Sequence, residues 1–311
     1  MKKLISALLA AAAALLLMCC CRASGQPLRV SVYLTEESRI VTLPYRDYIA
    51  GCVLGCAPSD CGVEALKAIA CAINSRALCV MANPKPAEYC GADFSDSADP
   101  CLPYVTEEAA RLLHGAQYDI LCEKVARAVD FGAERALYCG GEIIPAQLCR
   151  CSAGITDSGG ADFPYISAEI PEDEAAADFI STRAFSTDYV MRTLTERLSL
   201  TALPADCGKW FSGAHYLPSG TLEYISFGGI RLSGAQLMQA LGLRSAAITV
   251  EYTEQRFLFT VKGSGCNMGL SINAAAVMAQ RGCSCEEILS RFYAGAELRQ
   301  SRRPISQLRE M

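Results

Sequence analysis

The chain has 311 residues, 51% of them hydrophobic and 20% charged, with a formal net charge of -5. That balance excludes a disordered chain and allows a large core, built as one domain or as two lobes. It argues against a nucleic-acid binder, whose phosphate contacts need a basic face, and fits poorly with retention on anionic lipid by charge alone.

In chain order, the first element is a targeting segment. Lys2 and Lys3 precede an apolar run from Leu4 to Met18, and Cys19, Cys20, Cys21 and Arg22 follow. This is a signal peptide or a retained membrane anchor with a short linker, over residues 1–27. It predicts export to the outer face of the membrane. Lipidation at Cys19 is a weaker fit, because Met18 is a poor residue just before the cysteine. A folded domain is expected over 28–298, with a polar tail over 299–311.

Alternation predicts short strands at Leu28–Tyr33 and Arg39–Leu43. The stretch from Gly51 to Asp60 reads as a loop that presents Cys56. A helix follows, with Glu64 in its first turn and Leu66, Ile69, Ala70, Ile73, Ala77 and Val80 on one buried face. Residues 83–103, rich in Pro, Asp, Ser and Gly, read as a long surface loop. Thr106 caps a helix opening on Glu107 and Glu108, and a second helix runs through Cys122 to Val129. Strands are expected from Ala136 to Leu148 around a Gly140-Gly141 turn. The acidic run from Glu172 to Asp178 reads as an exposed connection into a helical stretch. The final third predicts strands at 222–225 and 230–232, a helix at 234–241, a strand pair at 247–252 and 257–261, and helices toward Gly282 and from Glu286.

Eighteen cysteines are present. Most sit where a small core residue belongs, as Cys71, Cys122 and Cys139 do, and none forms a CxxC pair with zinc-ribbon spacing. His114 reads as an exposed helix C-cap, and His215, near Trp210, Phe211 and Tyr216, as a loop or groove residue.

Segments along the chain, in one order, resemble the stage II sporulation protein D family (SpoIID/LytB). Gly55 and Pro58 frame a loop before Glu64-Ala65-Leu66-Lys67-Ala68, which matches the family's EALKA helix start. Cys149 to Asp157, preceded by Ala146, follows the frame A-x-[YF]-H-[AS]-x-S-G-G-x-T-E. Leu241-Gly242-Leu243-Arg244-Ser245 matches LgLrS. Gly263 to Ala275 follows G-x-G-H-G-V-G-M-S-Q-x-G-A, and Glu286 to Gly295 resembles the closing eIL.hYY.Gt.

The resemblance implies an α+β fold of mixed helices and antiparallel strands forming a groove. It also implies lytic transglycosylase activity on peptidoglycan glycan strands during engulfment. Other engulfment proteins and a cell-wall amidase are implied as partners, with the membrane reached through the N-terminus and no nucleic acid. That chemistry needs one carboxyl group to protonate the glycosidic oxygen and then deprotonate the sugar's own 6-hydroxyl. Here the family's glutamate falls on Cys56 and its two histidines on Cys149 and Cys266, while Ile272 stands for glutamine. Ser152 and Ser271 keep their places.

Three readings follow. An active enzyme would recruit Asp60, Glu64 or Asp157 as its acid. A pseudoenzyme would keep the fold and bind glycan. A thiol site would use Cys56, Cys149, Cys151 and Cys266 for a disulfide or a soft metal such as zinc; this is the alternative of an exported cysteine-rich binding module. No cofactor is expected for the family activity. Some members hold zinc near the segment matching Asp99-Pro100-Cys101, but only Cys101 matches, so that site is not expected here.

Overall fold

The alternation of Val30, Val32 and Leu34 forms β1 (Arg29–Leu34), with all three side chains buried. These observations come from a computed structural model that describes residues 28–97, 99, 102–160, 168–177, 179–198 and 202–301. The export segment, Cys101, Asp178 and the tail beyond residue 301 lie outside the described residues. β1 pairs antiparallel with β2 (Arg39–Pro44).

The stretch read as a loop before Cys56 is instead a helix, α1 (Tyr45–Cys56). Tyr48, Ile49, Cys52 and Val53 form its buried face at i, i+1, i+4, i+5. Gly51 and Gly55 obscure that pattern because they lower helix propensity. Tertiary contact explains both: a Cβ on Gly51 would lie 2.6 Å from the Tyr104 ring, and one on Gly55 would lie 1.9 Å from the Pro103 carbonyl oxygen.

α2 (Val63–Met81) is the central helix, its residues from Ala65 to Leu78 buried almost throughout. The expected surface loop at 83–103 contributes a short strand, β3 (Phe94–Ser95), which adds parallel to β1. α3 (Glu107–His114) begins at Thr106, whose hydroxyl accepts from the Ala109 N–H at 3.3 Å. α4 (Tyr118–Gly132) packs on α2 so closely that a Cβ on Gly132 would sit 2.6 Å from the Ala70 methyl. The alanines of α2 permit that approach.

β4 (Arg135–Cys139) and β5 (Glu142–Ile143) form the hairpin expected around Gly140-Gly141, and β6 (Leu148–Cys149) follows. The acidic run is exposed at Glu174, Ala175 and Ala177 but not throughout. It forms a short helix, α5 (Pro171–Glu174), with Asp173 fully buried, and the next element is a strand, β7 (Ile180–Ser186).

From β7 the chain builds a second hydrophobic cluster. α6 (Thr187–Leu198), β8 (Phe211–Tyr216), β9 (Leu222–Phe227), β10 (Ile230–Ser233), α7 (Gly234–Leu241), β11 (Ala247–Thr253) and β12 (Arg256–Lys262) follow in order. Two antiparallel sheets result, β8-β9-β10 and β7-β12-β11. Between them lie Trp210, Phe227, Phe257, Phe259 and Leu237, all buried. α7 is started by a capping box of Ser233 and Gln236 and stopped by Gly242 at φ +62°. His215 lies on strand β8 rather than in a loop, 2.8 Å from Glu223 and stacked on Tyr224.

The chain then returns to the first cluster through β13 (Leu270–Ser271), α8 (Ile272–Gln280) and α9 (Cys285–Phe292). β14 (Glu297–Gln300) pairs with β4, so ordered structure reaches two residues into the expected tail. The first cluster therefore takes residues from both ends of the described chain, and the second is inserted between them. No helix among the described residues is long and apolar enough to cross a membrane.

Candidate functional site

Cys56 is the last residue of α1, and the turn after it is held from two sides. Ala57 N–H closes on the Val53 carbonyl at 2.9 Å, and Cys61 N–H on that of Pro58 at 3.1 Å. His114, expected as an exposed cap, is buried against this turn. Its Nε2 lies 2.8 Å from the Leu54 carbonyl and its Nδ1 2.9 Å from Ser59 Oγ. A carbonyl only accepts, so Nε2 carries a proton, and in the neutral ring Ser59 donates to Nδ1. The ring staples the end of α1 to the loop beyond it.

Cys149 ends β6, buried, and pairs in parallel register with Ser271 of β13. The neighbouring segment crosses over it: Ser264 and Cys151 exchange N–H···O bonds of 2.7 and 3.1 Å. Gly265 (φ +104°) then passes so close that a Cβ would lie 3.1 Å from that of Cys149. Cys266 follows, half-buried, its thiol 3.4 Å from the Leu148 carbonyl.

These elements enclose one cavity of about 220 Å³. Its walls carry Cys56, Cys149, Cys266 and Ile272, four of the positions at which the sequence departs from the pattern it resembles. Gly55, Pro103, Leu148, Arg150 and Gly265 complete the described lining. Arg150 is the one charged residue among them, and none is acidic or a histidine. The three thiols share the cavity, yet no group of three His, Cys, Asp or Glu residues is disposed to hold a metal ion among the described residues.

The alternative acids are placed elsewhere. Asp60 is exposed in the turn after Cys56. Glu64 accepts from Lys67 Nζ at 2.7 Å and from the Cys285 N–H, at the start of α9, at 2.9 Å. The Lys67 hydrogen bond, with that N–H, holds its carboxyl below the usual range. Asp157 is buried and accepts from the hydroxyls of Ser219 and, at 2.9 Å, Thr221. Burial raises its pKa, and those hydrogen bonds oppose the rise. Burial also raises the thiols of Cys52, well above the ordinary value, and Cys61, to about 12, as expected for cysteines used as small core residues.

Two polar residues that the sequence reading did not single out hold the site's frame. Asp173 accepts from Ser152 N–H at 2.7 Å, Ser271 Oγ at 2.8 Å and Asn273 Nδ2 at 3.0 Å. Ser152 and Ser271 thus meet at a buried carboxylate, and Ser271 also caps α8. Asn267, at φ +56°, accepts from the Ala153 N–H at 2.8 Å and donates to the Ile155 carbonyl and Thr221 Oγ1, each at 3.0 Å. A polar residue beside glycine in a loop hints at such a left-handed turn. Asp173 gives no comparable signal, flanked by Glu172 and Glu174.

No family model matches the chain. It is 24% identical over 277 residues to a stage II sporulation protein D of Bacillus amyloliquefaciens, covering 88% of this chain and 79% of that protein. It is 23% identical over 278 residues, with the same coverage, to the stage II sporulation protein D of Bacillus subtilis strain 168.

Proposed function

This chain is a divergent member of the stage II sporulation protein D family, and from that premise we propose that it binds peptidoglycan glycan strands without cleaving them. The observation that carries this reading is the cavity itself. Cys56, Cys149 and Cys266, which the resemblance matches to the family's acid and histidines, line it together, with aliphatic residues, glycines and one arginine, and no residue that carries a carboxyl group. A thiol with an ordinary pKa of about 8.5 is a poor proton donor to a glycosidic oxygen, and its thiolate is a poor base toward a sugar hydroxyl. Neither Glu64, engaged at the start of α9, nor Asp157, bound to two hydroxyls, is among the lining residues.

In this reading the protein works in spore formation at the outer face of the membrane, held or delivered there by its first 27 residues. Its partners are glycan strands, other engulfment proteins and a cell-wall amidase. Full-length protein, solubilised in mild detergent, is incubated with glycan strands and followed by co-sedimentation and by chromatography for anhydromuramyl products. Binding without product is expected. Product that vanishes when one acidic residue is changed overturns the reading.

The convergence of Cys56, Cys149 and Cys266 on one cavity favours a second reading, a thiol site that forms a disulfide or takes a soft metal. Metal analysis and thiol counting on the three cysteine-to-serine variants test it, and metal content unchanged from wild type removes it.

A further inference from the structure

We propose that Arg150 makes this cavity selective for carboxylate-bearing glycan, by binding a carboxylate of the muramyl unit. The inference rests on the glycan-binding reading above and names the group that reading would recognise.

Arg150 directly follows Cys149, in the bend after β6, where it is exposed and lines the cavity. Its backbone is fixed, because its carbonyl accepts from the Asn273 N–H of α8 at 3.1 Å. Some arginines elsewhere meet acids: Arg46 pairs with Asp130 and Glu134, Arg76 with Asp99, and Arg281 with Glu172. No described carboxylate pairs with Arg150.

The cavity's charge follows from the same lining. With a glutamate at position 56 an acid and a base would share these walls. With Cys56 the described lining carries a single positive charge and no negative one. Such a site favours an anionic ligand and disfavours nothing in a neutral sugar. The repeating amino sugars of a glycan strand carry hydroxyl and acetamido groups, which are neutral. Their anionic group is a carboxylate, either the lactyl carboxylate of a peptide-free muramic acid or one on an attached stem peptide. Guanidinium pairs with either by two parallel hydrogen bonds.

The test uses full-length wild type, Arg150→Gln and Arg150→Lys, with three ligands of matched length: peptide-free strands, peptide-bearing strands and neutral N-acetylglucosamine oligomers. Wild type is expected to bind at least one muramyl ligand about tenfold more tightly than the neutral oligomer at low salt, and added salt should narrow that margin. Arg150→Gln should lose the margin and keep its affinity for the neutral oligomer, and Arg150→Lys should restore part of it. Preference for peptide-free strands assigns the lactyl carboxylate, and preference for peptide-bearing strands assigns the stem peptide. A margin absent in wild type, or retained in an Arg150→Gln protein that melts as wild type does, overturns the inference alone. Failure to bind any of the three overturns the glycan reading with it.

Discussion

Asp173 is the residue on which the site's frame depends most directly, and its removal gives a large expected effect. Its carboxylate accepts three hydrogen bonds, from Ser152 N–H, Ser271 Oγ and Asn273 Nδ2, at 2.7 to 3.0 Å, and it is fully buried. Asp173→Ala leaves all three donors facing a small void. Each buried donor without an acceptor costs about 1–3 kcal/mol, and the three are coupled, so their costs do not simply add. Removing the ion also removes its own desolvation cost, which offsets part of the loss. A net destabilisation of about 3–5 kcal/mol is expected. Asp173→Asn keeps one acceptor but turns an amide N–H toward donors, and about half that loss follows. Urea unfolding by far-UV circular dichroism, with the slope unchanged and the midpoint lowered, measures both. A loss under about 1 kcal/mol for the alanine variant would refute the assignment of Asp173 as the frame's anchor.

Three further outcomes are expected. Gly55→Ala, whose Cβ would sit 1.9 Å from the Pro103 oxygen, should cost about 1–3 kcal/mol. Gly62→Ala, meeting only the Ala279 methyl at 3.4 Å, should stay within about 0.5 kcal/mol, and equal effects in thermal melts would contradict the steric account. Burial raises the Asp157 pKa above its unfolded value of about 4. Its contribution to stability is therefore complete below pH 4 and falls as the pH rises through the native pKa. Wild type should lose stability relative to Asp157→Asn across that window, whereas parallel pH profiles would show that no raised pKa exists. Cys266 is half-buried at the cavity wall. Glycan strands should slow its alkylation, read by peptide mass spectrometry, while exposed Cys90 reacts at its usual rate; equal rates at Cys266 with and without strands count against ligand in this cavity.

How much of this was legible in the sequence depended on whether the deciding contact was local. The strand at Val30, Val32 and Leu34, the helix opening at Glu64, the Thr106 cap and the Gly140-Gly141 hairpin are set by residues within a few positions, and the pattern shows them. α1 was missed because Gly51 and Gly55 argue against a helix locally, and their reason, Tyr104 and Pro103, lies about fifty residues away. His114 read as an exposed cap for the same cause: the Leu54 carbonyl that buries it is distant in the chain. The sharing of one cavity by positions 56, 149 and 266 cannot be read from spacing at all. It came into view as a resemblance to a pattern, and the geometry of the walls is a separate observation.

That geometry separates the cavity's shape from its chemistry. The walls are brought together by close backbone approaches: Gly55 against Pro103, Gly265 against Cys149, and Gly269, at φ +69°, where a Cβ would lie 2.0 Å from the Gln147 oxygen. Asp173 and Asn267 then lock the segment that carries Gly265 and Gly269. None of these contacts involves the thiols of Cys56 or Cys266 or the guanidinium of Arg150. Side chains at the cavity surface can therefore change from acid or imidazole to thiol without moving the walls. On the proposed reading, such a cavity holds a glycan strand without supplying the proton transfer that breaks a glycosidic bond. With no carboxylate in the described lining, the sign of its charge rests on Arg150. On that reading, a change at Arg150 should alter which glycan is held without altering the fold.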